Sequence, residues 1–88
     1  SLPLEEVIEN YVNEDGEKLT MEEFPLYKVI STSKPSREQV IGIRNPHNGR
    51  VTWTMGDHEP EFDNSGKLSR IIVTLVDITD RKNAEEAL

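Results

Sequence analysis

The residue types best suited to chemistry lie in two acidic stretches. Asp57-His58-Glu59, with Glu61 and Asp63 just downstream, offers the nitrogen and oxygen donors that hold divalent metals. Along an extended strand, however, neighbouring side chains alternate between faces, so only alternate residues such as Asp57 and Glu59 converge. The expectation is a polar strand end that holds no metal. His47, in the preceding turn, is a weaker ligand still. Asn13-Glu14-Asp15-Gly16 followed by Glu22 tracks a calcium loop, in which alternating oxygens surround a hard cation and a terminal Glu closes the shell. Its first ligand position falls on Tyr11, which supplies no carboxylate, so an acidic solvated turn is expected there.

Covalent and phosphoryl chemistry find no footing. No Ser-His-Asp ordering, phosphate-cradling glycine loop or isolated carboxylate pair stands out. There is no cysteine, which removes thiolate nucleophiles, disulfides and cysteine-based zinc sites. His58-Glu59 runs into Pro60 within an extended stretch, whereas a phosphoacceptor histidine of a kinase sits on a helix. The isolated chain is therefore expected to be non-catalytic.

The elements that position these residues belong to one small domain, because 88 residues leave no room for a second. With 34% apolar and 31% charged residues the core is modest, and a second copy of the chain is a natural way to enlarge it. Ten Lys and Arg against 17 Asp and Glu leave a charge of -7, which repels a phosphate backbone, so nucleic acid is not an expected ligand. No apolar run approaches the ~18 residues of a membrane span, and the N-terminus lacks the basic region of a signal peptide. Cytoplasmic residence without direct membrane insertion is expected, which is compatible with a parent protein anchored elsewhere in its length.

Leu4 to Val12, with Leu4, Val7, Ile8 and Tyr11 at helical spacing, reads as a short helix or turn. Thr20-Met21-Glu22-Glu23 has capping-box spacing, with Leu19 and Phe24 as its hydrophobic staple. Pro25 would cost a backbone hydrogen bond beyond a first turn, so a regular helix begins near Glu23 or Phe24 and presents Leu26, Val29 and Ile30 on one face. Ser31 to Ser36 is a loop by composition. Strands are predicted over Gln39 to Arg44 and Val51 to Gly56, joined by a turn containing Asn48-Gly49. A third strand, Lys67 to Val76, follows the turn Asp63 to Gly66. The predicted class is α+β: an antiparallel meander of three visible strands, short helices on one face and a C-terminal helix. Phe24, Tyr27 and Trp53 could wall a space between helix and sheet, together with Ile41, Ile43, Met55, Ile72 and Thr74; the same residues equally well fill an ordinary core.

The end of the chain carries a resemblance. Val76-Asp77-Ile78-Thr79-Asp80-Arg81-Lys82, leading into a charged segment to Leu88, resembles the PAC-type motif that closes PAS sensory domains. In order along the chain, Asn13 to Gly16, Glu22-Glu23-Phe24-Pro25, Asn48-Gly49-Arg50, Trp53, Pro60 and Asn64-Ser65-Gly66 are also similar to family features. The resemblance implies a PAS-like domain over residues 1-79 that lacks the family's two N-terminal strands, and the start of a connector helix over 80-88. It implies a sensory module of a larger signalling protein, with a histidine kinase first and a diguanylate cyclase second as the parent carrying the effector domain. A small ligand or a partner would act on the inner sheet face, and Asp77, Thr79 and Arg81 would relay the change, with Asp77 paired to Arg81 and Thr79 or Asp80 capping the helix.

No particular cofactor follows from the resemblance. Haem is disfavoured because neither His47 nor His58 lies on the helix where haem-binding relatives place a ligand, and cysteinyl-flavin chemistry because cysteine is absent. A missing first strand would leave Lys67 to Val76 with an open edge, so a homodimer through that strand and the C-terminal helix is expected. Ile78, Arg81, Glu85 and Leu88 fall at 3-4-3 spacing along that helix. The alternative reading is a ligand-free dimerisation scaffold that holds effector domains in register.

Overall fold

The computed structural model describes residues 3–87. Leu88, the last position of the 3-4-3 spacing, lies outside the described residues, as do Ser1 and Leu2. The fold is α+β, with a four-stranded antiparallel sheet in the order β1-β2-β3-β4. Helix α1 spans Leu4–Val7, β1 Tyr11–Val12, α2 Pro25–Thr32, β2 Ser36–Arg44, β3 Val51–Phe62, β4 Leu68–Asp77 and α3 Thr79–Glu86.

The strand absent from the sequence-based reading is β1. A single helix or turn through Val12 was the expectation, but the chain leaves α1 after Val7, and Tyr11 and Val12 pair with Ile43 and Gly42. An aromatic and a β-branched residue suit a pleated surface better than a frayed helix end. The ladder is reinforced where the Arg44 N–H donates to the Asn10 carbonyl (2.8 Å) and the Leu19 N–H to the Tyr11 carbonyl (2.9 Å).

The Thr20 capping box forms, with Glu23 N–H donating to the Thr20 hydroxyl (3.3 Å) and the Glu23 carboxylate accepting from the Thr20 N–H (2.9 Å). It caps only the 3-10 turn Met21–Glu23. Pro25 then opens α2 at its first helical position, where a missing N–H costs nothing. Leu19 and Phe24 share one buried cluster with Ile8 and Ile41, as a staple would require.

Strand β3 is twice the predicted length: it does not stop at Gly56 but continues through Asp57 to its end at Phe62. Strand β2 correspondingly begins at Ser36, opposite His58, and reaches Gln39 through an irregularity at Glu38, whose φ is 54°. The Glu38 N–H donates to the Asp57 carboxylate (2.8 Å) and so keeps a partner across the irregularity. Pro60 lies beyond Ser36, where β3 has a neighbour only on its β4 side and a missing N–H is tolerated.

Cross-strand partners share a face, so the register sorts the sheet into two sides. Ile41, Thr54, His58, Val73 and Leu75 face α2 and the Leu19–Phe24 cluster. Val12, Val40, Trp53, Met55 and Val76 face the opposite side, where Val12, Trp53 and Ile78 are buried together. Strand β4 is outermost among the described strands, and none of its ten residues is buried. Among the described residues no helix is long and apolar enough to cross a membrane.

Gly42 is what lets the Trp53 ring lie against the sheet. A Cβ at Gly42 would stand 2.6 Å from Val51 Cγ1, 2.7 Å from Val12 Cγ2 and 2.9 Å from Trp53 Cζ3. Gly42→Ala is expected to destabilise the fold by about 1–3 kcal/mol, as overpacked cores do, with an unchanged slope against urea. A loss below about 0.5 kcal/mol, within the range of ordinary surface substitutions, would show that the cluster yields without strain.

Candidate functional site

Two features converge on β3 from opposite sides. One is the junction where β4 hands over to α3. Asp77 ends the strand, Ile78 turns inward and is buried against Trp53, and Thr79 begins the helix. The Ile78 N–H donates to the Trp53 carbonyl (2.8 Å), while the Trp53 N–H donates to the Thr79 hydroxyl (2.9 Å). Both backbone groups of one β3 residue are thus committed to the junction. The Thr79 hydroxyl in turn donates to Asp77 Oδ1 (2.6 Å), which also accepts from the Thr79 N–H (2.9 Å). Those bonds, the side-chain one first, hold the Asp77 carboxyl below its usual range.

A basic residue completes the tie, though not the predicted one. Lys82 Nζ lies 5.2 Å from the centre of the Trp53 ring and 3.1 Å from Glu14 Oε2, joining α3 to the sheet and to the Asn13–Glu17 turn. The expected Asp77–Arg81 pair does not form: Asp77 is taken up by Thr79, and Arg81 lies 4.0 Å from Glu85 one turn along. Nor do Thr79 or Asp80 cap the helix. Ile78 holds that position without a side-chain bond, because the Thr79 hydroxyl is turned back to the sheet.

The second feature is an apolar groove of about 210 Å³ between the helices and the sheet. Phe24, Leu26, Ile41, Ile43, Val73 and Leu75 form most of its wall. Of the predicted lining, Phe24, Ile41 and Ile43 meet here. Trp53, Met55, Ile72 and Thr74 do not: the register sets Trp53 against Gly42, and Ile72 and Thr74 opposite Glu59 and Asp57, all on the far face. Tyr27 lies on α2 and is 38% exposed.

Leu26, Thr54, His58, Val73 and Leu75 line the groove without having been predicted there, and His58 brings an imidazole among them. It is 7% exposed, and its Nδ1 has no hydrogen-bond partner among the described residues. Burial pushes its pKa down, opposed in part by the Asp57 carboxylate. A Cβ at Gly56 would collide with the Leu75 side chain, so this glycine makes room for Leu75, while its 3.6 Å separation from His58 Cε1 would be an ordinary contact. The usable signal was the alternation Thr54-x-Gly56-x-His58, which points His58 away from Trp53 once β3 is extended past Gly56.

The metal-like cluster is dispersed by the same alternation. Asp57 accepts from Glu38, Glu59 pairs with Arg37 (2.7 Å) and Glu61 pairs with Arg70, while His58 points to the other face. Among the described residues no three metal-ligating side chains converge. In the Asn13 turn, Asn13 Oδ1 accepts from the N–H groups of Asp15 (3.0 Å) and Glu17 (3.1 Å), an ordinary side-chain-braced turn.

Because the folded pKa of His58 is depressed, the native state resists protonation that the unfolded chain accepts near pH ~6.5. Its contribution is complete above that pH and is lost as pH falls from there through the folded pKa. Glu23, Asp63 and Asp77, also depressed, lose theirs only below the ordinary carboxylate range of about 4. Urea unfolding across pH 5–7.5 is expected to show stability falling toward the acid end in the wild type, with that step absent from His58→Leu. Parallel profiles would mean that His58 is not the group responsible.

Comparison with protein-family models, with curated proteins and with solved structures finds no match to this chain.

Proposed function

We propose that this chain is a PAS-like sensory module of a larger signalling protein, a sensor histidine kinase first and a diguanylate cyclase second, in which a small ligand or partner alters the sheet and α3 carries the change onward. The observation that supports this reading best is the junction: Trp53 binds the start of α3 through both its backbone groups. Its neighbour Thr54 lines the groove on the other side of the same strand. A molecule that shifts β3 from the groove side therefore strains the bonds to Ile78 and Thr79. An input biases the output helix only to the extent that it binds the two arrangements with different affinity. The resemblance over Val76 to Lys82 covers these same positions. Replacing Asp77 by Ala in the full-length parent removes the brace on Thr79 and is expected to change basal or stimulated output. Unchanged activity in both states would refute the relay.

One observation favours the second reading, a ligand-free dimerisation scaffold. Strand β4 presents an open edge with Ile72, Val73, Leu75 and Val76 exposed on its two faces, the last two by 56% and 53%. Antiparallel pairing of two such strands about a two-fold axis would join two four-stranded sheets into one of eight. Native mass spectrometry separates the readings. A bare dimer that Val76→Lys converts to monomer supports the scaffold, whereas a retained small molecule supports sensing.

A further inference from the structure

Four side chains with polar atoms line the groove: Tyr11, whose ring packs edge-on against Phe24, and Gln39, Thr54 and His58. Gln39 Nε2 donates to the Arg37 carbonyl (2.9 Å), and the Thr54 hydroxyl donates to the Ile41 carbonyl (3.1 Å). Both are satisfied within the chain. His58 differs, since its Nδ1 is screened from solvent and unpaired among the described residues, with Ile41, Val73 and Leu75 supplying only carbon to the same wall. Buried polar atoms in native proteins nearly always have a partner, and an orphan beside a groove is placed to take one that arrives from outside.

We propose that the groove takes a small, uncharged, apolar molecule carrying a single hydrogen-bonding group, a hydroxyl or a ring nitrogen, and that His58 is the residue that selects it. The proposal rests on the groove being the ligand site of the sensory reading above. A neutral imidazole offers one nitrogen as an acceptor and the other as an N–H donor, which a hydroxyl can meet either way, and burial holds His58 in that form. Rotation about the His Cβ–Cγ bond is soft, so either nitrogen can turn toward the groove. A charged ligand would have to shed its hydration against apolar walls, and an anion would also meet a chain of charge -7. At about 210 Å³ the groove is smaller than the ~300–1,000 Å³ of sites for drug-sized molecules, and it suits a single ring.

Phenol and toluene differ by the one hydroxyl at issue. Titrating each into the nitrogen-15-labelled chain at pH 7.5 and following backbone amides is expected to move Ile41, Thr54 and Val73, with phenol binding about tenfold more tightly than toluene, the contribution of one hydrogen bond. His58→Leu should abolish that preference while retaining toluene binding. Equal affinity of phenol and toluene for the wild type, or a preference that survives in His58→Leu, overturns the role of His58 and leaves the groove as a ligand site. If neither compound moves the groove amides, the groove is not a ligand site, and the sensory reading loses its small-molecule input as well.

Discussion

Trp53 is bound to its surroundings in three different ways, and the rest of the molecule is arranged around them. Its ring needs the absent side chain of Gly42 to lie against β2, its carbonyl and N–H hold the first residues after β4, and its face attracts Lys82 from α3. A large aromatic body with a fixed backbone position is an effective anchor because its burial and its hydrogen bonds are lost together. Among the described residues of the β4-to-α3 segment Ile78 alone is buried, and it is buried against Trp53.

The division of apolar residues between two sheet faces follows from the same strand. A chain with 34% apolar residues has little to spend on two cores, so each cluster is small: Ile8, Leu19, Phe24 and Ile41 on one side, Val12, Trp53 and Ile78 on the other. Neither reaches β4, where Ile72, Val73, Leu75 and Val76 stay exposed on the two faces. The open edge and the groove are thus consequences of one shortage of covering material. An α2 of eight residues shields Ile41 but leaves Val73 and Leu75 bordering an open groove.

Much of the polar content braces turns. Asn13, Asn45, Asn48, Asp63 and Asp77 each accept from a backbone N–H two residues ahead, the local bond that makes Asn and Asp strong turn formers. The Ser65 and Thr79 hydroxyls first, and backbone N–H groups second, hold the Asp63 and Asp77 carboxyls below their usual range, with no cation involved. Asp77 therefore serves the junction as an acceptor for Thr79 and not as an ionic partner for Arg81.

Features carried by neighbours in the chain were legible in the sequence: the Thr20 capping box, the hairpin at Asn48-Gly49, the turn before β4 and the helix after Ile78. Each depends on contacts a few residues apart or on backbone chemistry that residue type dictates. Beyond that reach lay the pairing of Tyr11 and Val12 with β2, the extension of β3 through Asp57 to Phe62, and the partners of Asp77, Arg81 and Lys82. Composition and spacing thus determined an α+β meander ending in a helix. Which side chains of different strands share a face was decided only by the tertiary register, because a one-residue difference in strand pairing exchanges the two faces. That register sends Trp53 to the junction and His58 to the groove.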